Sequence, residues 1–158
     1  MEAKIVTLPL FNVVGFSVEA NVETFEAGLG LSIYQSLMDR KDEVHNRKNE
    51  QVMLMQIYPV NPDFNAQEDR FTHLLCYEVS ELGEVPQNMI SHTVQESKYV
   101  AYTHKGPESE LGHTYDYLYR QWIPDSGYEP KEYDFEIWDE RYDPESPDNE
   151  IDIFIALK

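Results

Sequence analysis

The chain has one cysteine, Cys76, so it can form no disulfide within itself. It also lacks Cys and His pairs at the spacing a structural zinc site requires. No segment approaches the roughly 18 apolar residues of a membrane-spanning helix. The N-terminus sets Glu2 and Pro9 where a secretory signal would carry basic and then apolar residues. These absences predict a protein of the reducing cytoplasm that needs neither metal nor cofactor. Basic residues are scarce too: 12 Lys and Arg face 30 Asp and Glu, a net charge of −18. Such a chain repels phosphates and anionic lipid, which argues against direct nucleic-acid or membrane binding.

What remains is an ordinary globular composition. At 158 residues, 41% of them hydrophobic, one domain over residues 1–158 is expected, removing roughly 70% of the unfolded chain's surface from water. The acids are unevenly spread. From Asp125 to Asp152 twelve acids stand against Lys131 and Arg141 alone. A solvated surface accounts for most such runs, but this one would also attract cations or a basic protein partner.

Two stretches have the same succession of patterns. In the first, Asn12 to Glu19 is β-branched and aromatic and reads as a strand, and Phe25, Leu29, Ile33 and Leu37 recur along one helical face. Strands at Gln51 to Tyr58 and Phe71 to Val79 follow, around a loop broken by Pro62. A connector with Gly83 and Pro86 leads to the second stretch, whose strand centres on Tyr99 to His104. Pro107 and Glu108 suit the first turn of a helix. Leu111, Tyr115, Leu118 and Trp122 form its apolar stripe, and Pro124 with Gly127 should stop it. Strands at Tyr133 to Arg141 and Glu150 to Leu157 enclose a proline-rich hairpin loop. The predicted fold class is α+β: two strand-helix-strand-strand units, about 1–82 and 88–158, joined through a curved antiparallel sheet with two helices and a central groove.

Four runs in order then carry a resemblance: Tyr99 to Pro107, Tyr117 to Tyr128, Phe135 to Trp138, and Glu150 to Leu157. Over these roughly sixty residues the chain resembles the GyrI-like effector-binding domain of AraC- and MerR-type transcription regulators; the N-terminal half fits its outline more loosely. The resemblance implies a groove for small, often hydrophobic and cationic molecules. Because the matching domain begins almost at Met1, it further implies a stand-alone member, whose relatives include drug-binding, gyrase-inhibitor-like and hydrolytic proteins.

Glu136 aligns with the acid this family places in its groove. On a strand it shares a face with Asp134 and Trp138, while Phe135 and Ile137 face away. A buried carboxylate without a partner is costly, so the empty site should hold water, a protonated Glu136 or a neighbouring donor. Trp138, Tyr102, Tyr58, Tyr77 and Phe16 are candidate aromatic lining, and Met55 a pliant contact; each could equally be core. Tyr115 and Trp122 read as core of the helical stripe. Small-molecule binding without chemistry is the leading expectation. A hydrolase using Glu136 with Tyr102, and an acidic protein-interaction module, are the alternatives. None of the five histidines has a nucleophile in a recognisable motif.

Overall fold

The structure is a computed structural model that describes residues 2–158. Its strands are β1 (Lys4–Leu8), β2 (Phe11–Ala20), β3 (Val52–Ile57), β4 (Phe71–Val79), β5 (Ile90–Val94), β6 (Ser97–Lys105), β7 (Pro130–Trp138) and β8 (Glu150–Leu157). They form one antiparallel sheet in the order β1-β6-β8-β7-β3-β4-β2-β5. Alternation sends even-numbered residues of β2, β3, β6 and β7 and odd-numbered residues of β4 and β8 to the face the helices cover. Val14, Leu54, Leu75, Val100, Trp138, Ile151, Ile153 and Ile155 build the core there.

The first helical stretch runs through α1 (Val22–Thr24), a π turn (Phe25–Leu29) and α2 (Gly30–Asp39). Asn21 caps it, its side chain accepting from the Thr24 N–H at 2.8 Å. Gly28 inside the π turn has φ of 137°, a conformation side-chain-bearing residues rarely adopt. The second stretch runs through a 3₁₀ turn (Glu108–Glu110), α3 (Leu111–Tyr117), a π turn (Leu118–Trp122) and α4 (Ile123–Ser126). Pro124 was expected to help stop this helix, yet the helix continues past it to Ser126. Proline removes a donor and crowds the carbonyl four residues back, and the wider π turn directly before α4 accommodates both demands. Gly127, at φ of 85°, ends the run.

Two edge strands go beyond the expected three-stranded halves. β1 precedes the first unit but pairs with β6 of the second, Ile5 opposite Val100. β5 precedes the second unit but pairs with β2 of the first, Val13 opposite His92. Each unit thus gains a fourth strand from the segment leading into the other.

The second face carries no helix, yet Val13, Met55, Leu74 and Tyr99 are fully buried on it. Curvature explains this. Phe11 on β2 and Phe135 on β7 lie three strand steps apart, and Phe135 is in register with Ser17 rather than Phe11, so a flat sheet would part them by roughly 25 Å, but their ring centroids are 5.8 Å apart. The sheet curls around this second cluster and presents its other face to the helices. Gly15 permits the close packing of β2 on β4, because a Cβ there would stand 2.0 Å from the Leu75 carbonyl oxygen.

Candidate functional site: two buried carboxylates at the central seam

β3 and β7 meet at the middle of the sheet, beneath the second helix. Their register sets Leu54 opposite Glu136 and Gln56 opposite Asp134. Just before Asp134 the pairing of β7 with β8 is irregular. Such irregularities re-aim side chains, and this one lies where Tyr133 goes to the second face and Asp134 to the first.

Asp134 is fully buried and Glu136 is 2% exposed. No Lys or Arg among the described residues lies within ion-pair reach of either. Neutral donors compensate instead. Asp134 accepts from Gln56 Nε2 at 2.7 Å, from the Tyr58 hydroxyl at 2.7 Å and from the Tyr119 hydroxyl at 2.6 Å. Glu136 accepts from the Tyr115 hydroxyl at 2.6 Å and from the Trp138 indole N–H at 2.9 Å. Gln56 also donates to the Tyr115 hydroxyl at 3.1 Å, which joins the two sets. The neighbouring donor that a buried, empty site requires is supplied here by Tyr115 and Trp138.

Burial pushes the Glu136 carboxyl up to about 7, against the opposing bonds from Tyr115 and Trp138. Burial likewise pushes Asp134 up to about 6, held down in part by Tyr119, Tyr58 and Gln56. The same burial, and then the carboxylate charges, put the Tyr58, Tyr115 and Tyr119 hydroxyls well above the usual phenol range. They remain donors throughout the physiological range.

An aromatic wall adjoins Glu136. The Trp138 and Tyr142 rings are parallel within 1°, with centroids 4.6 Å apart. Tyr34 of α2 meets Trp138 edge-on at 5.4 Å, so the wall draws on both units. The Tyr142 hydroxyl donates to Glu108.

The other predicted lining residues are dispersed. Tyr58 joins the seam through Asp134. Tyr77 lies under the first helix, its hydroxyl on Met38 Sδ at 3.2 Å, and Phe16 faces the Arg40 guanidinium at 5.5 Å. Met55 sits in the second-face core. Tyr102 packs on Tyr117, centroids 5.9 Å apart, so the hydroxyl on Glu136 is that of Tyr115. Tyr115, Tyr119, Gln56, Tyr34 and Tyr142 were not singled out as lining. The spacing of four between Tyr115 and Tyr119 was the available signal, since it aims both down one helical face. Along the acidic stretch, Arg141 binds Asp139 and Asp152, both at 2.8 Å, so part of that charge is internally neutralised.

A buried acid pair held by neutral donors, with no cationic partner among the described residues, beside an aromatic wall on a duplicated strand-helix-strand-strand scaffold, defines a small-molecule-binding domain. The chain belongs to the GyrI-like small molecule binding domain family, which it matches over residues 1–158. It is 27% identical to the transcriptional regulator BrlR of Pseudomonas aeruginosa over 159 residues, covering 99% of this chain and 56% of that protein. The chain therefore spans about half the length of this curated relative. Among solved structures, SAV2435 bound to tetraphenylphosphonium superposes with a TM-score of 0.76 at 14% identity, covering 100% of this chain and 94% of that one. The EcmrR C-terminal domain gives a TM-score of 0.70 at 18% identity, covering 99% and 97%.

Proposed function

We propose that the seam between β3 and β7 binds lipophilic, aromatic cations, with Glu136 as the counter-charge and Trp138, Tyr142 and Tyr34 as the wall. The observation that carries this reading is the buried pair Asp134 and Glu136, satisfied by hydroxyl, amide and indole donors but by no cation among the described residues. Neutral donors lower the cost of burying a carboxylate without cancelling its charge. A cation brought into the site cancels it, and the low surrounding dielectric strengthens that attraction. An anion would meet two acids in the same medium.

Aromatic faces suit the remainder of such a ligand, through stacking and cation-π contact. Two shallow depressions, of about 260 Å³ beside Tyr117, Trp122 and Asp125 and about 340 Å³ beside Glu43, His45 and Val85, include neither carboxylate. Glu136 is itself only 2% exposed, so a ligand reaches it only when side chains around it move aside. Tyr115 is the hydroxyl a cation would displace. The similar fold of SAV2435, bound to tetraphenylphosphonium, supports the choice of that cation as a probe.

Calorimetric titration of tetraphenylphosphonium into wild type and Glu136→Gln at pH 8 tests the proposal. An affinity loss of about thirtyfold or more is expected for the variant, since removing one partner of a buried charge pair costs several kcal/mol. Equal affinities would take Glu136 out of the mechanism.

A further inference from the structure

We propose that the site has a second recognition point at His73, whose Nδ1 accepts a hydrogen bond from an N–H or O–H at the far end of a bound cation. This rests on the cation-binding reading above and deepens it by naming the ligand class: an aromatic cation that carries a donor remote from its charge.

His73 is 2% exposed, and its Nδ1 is buried with no partner among the described residues. The other ring nitrogen fixes the tautomer. Nε2 lies 3.0 Å from the Ala20 carbonyl oxygen, which can only accept, so Nε2 carries the hydrogen and Nδ1 a lone pair. Burial lowers the His73 pKa despite the bond to Ala20, so the ring is neutral and Nδ1 an acceptor at pH 8. Phe25 of the first π turn stacks on this ring with centroids 4.1 Å apart, and Phe71 lies at 4.2 Å. A buried acceptor without a donor costs stability. A third phenylalanine would complete the same aromatic packing without that cost.

The sheet register ties His73 to the carboxylates. Asp134, Gln56 and His73 stand in one row across β7, β3 and β4, on the face the helices cover. From the strand spacing and rise, His73 is roughly 10 Å from Asp134 and roughly 12 Å from Glu136. Side chains bridge the interval. The Tyr58 hydroxyl is 2.7 Å from Asp134, the Tyr58 ring is 4.9 Å from that of Phe71, and Phe71 packs on His73. Gln56, midway along the row, gives its Nε2 to Asp134 and Tyr115, and its Oε1 accepts from no donor among the described residues. The row thus passes from charged acceptors to neutral ones. Like Glu136, His73 is reached only when side chains around it move aside. A phenyl ring on a phosphonium centre held at Glu136 carries its para substituent across much of that interval.

The para-tolyl and para-aminophenyl derivatives of triphenylphosphonium share shape and charge and differ in one donor group. Each is titrated by calorimetry at pH 8 into wild type, His73→Phe, His73→Gln and Glu136→Gln. Wild type should bind the amino compound about tenfold more tightly than the tolyl compound. His73→Phe keeps a ring against Phe25 and Phe71 and should leave the tolyl affinity within about twofold. It should erase or reverse the amino preference, because the amine is then buried unpaired. His73→Gln returns an acceptor and should recover part of that preference. Glu136→Gln should weaken both compounds and preserve their ratio. Equal binding of the two compounds by wild type, or an amino preference that survives in His73→Phe, overturns the His73 contact while cation binding at Glu136 stands. Failure of both compounds to bind wild type overturns both.

Discussion

The two central strands lie side by side and present three positions each to the helices, yet they differ in chemistry. β3 offers Val52, Leu54 and Gln56; β7 offers Trp138, Glu136 and Asp134, in register with them. Both hold the third place in a strand-helix-strand-strand unit, and both lie under the same helical layer. One carries no charge and the other carries two carboxylates. Duplication therefore supplies the scaffold, and the site is an asymmetry laid on it. What lets β7 carry its acids is the surrounding set of donors: Tyr115 and Tyr119 from the second helix, Tyr58 and Gln56 from the β3 side, and Trp138 from β7 itself.

The hardest test of this contrast moves an acid across the seam. Leu54 is 4% exposed and directly opposite Glu136. Leu54→Asp would place a third carboxylate where the donors are already spent on the first two. It should cost about 3–5 kcal/mol at pH 8, the range for an uncompensated buried charge, read from urea unfolding. A loss below about 1 kcal/mol would mean that the seam accepts charge without dedicated donors.

The converse change makes β7 more like β3. Because the Glu136 carboxyl rises to about 7 in the folded protein from an ordinary value near 4.3 when unfolded, the folded state holds the extra proton between those values. Stability of the ligand-free protein should therefore fall as pH rises through that window and level off above about 7. Glu136→Gln removes the Glu136 part of this slope and leaves that of Asp134. The variant should match wild type near pH 4 and exceed it by about 3–4 kcal/mol at pH 8, measured by chemical denaturation across pH. Cation binding carries the opposite slope, since the bound cation favours ionised Glu136 and affinity should rise through pH 7.

Much of this contrast was legible in the residues. Strand alternation alone put Asp134, Glu136 and Trp138 on one face, and the ordered matches from Tyr99 onward pointed to Glu136. The dispersed aromatics were less legible. Tyr77 and Phe16 occupy strand positions as suitable as that of Tyr58, and only the sheet order shows that β3 borders β7 while β2 and β4 do not. Met55, expected as a pliant lining contact, lies on the face away from the helices, and knowing which face holds the site requires knowing which face the helices cover. The edge strands were obscured for a related reason. β1 and β5 are short and half-exposed, and what defines them is pairing with the opposite unit, which no local pattern reports. Tyr115 reads as core, and Tyr119 draws no notice, because their hydroxyls find partners only across more than a dozen residues of chain.

The smallest expected effect separates donors from mere neighbours on the helix that covers the seam. Tyr119→Phe removes one of three bonds to Asp134 and leaves the ring in place. Since that hydroxyl holds the Asp134 carboxyl down against burial, its loss should push the carboxyl above about 6. Stability should then fall by about 1–2 kcal/mol at pH 8, the worth of a hydrogen bond to a charged group. The deficit should shrink as pH falls and Asp134 takes up its proton, because a neutral carboxyl needs the donor less. Tyr117, two residues earlier, is 38% exposed and bonds no carboxylate among the described residues, so Tyr117→Phe should change stability by less than about 0.5 kcal/mol at any pH. Parallel, pH-independent losses in the two variants would show that the tyrosines stabilise the helix by packing alone. Asp134 would then owe its ionisation to something other than the hydroxyls above it.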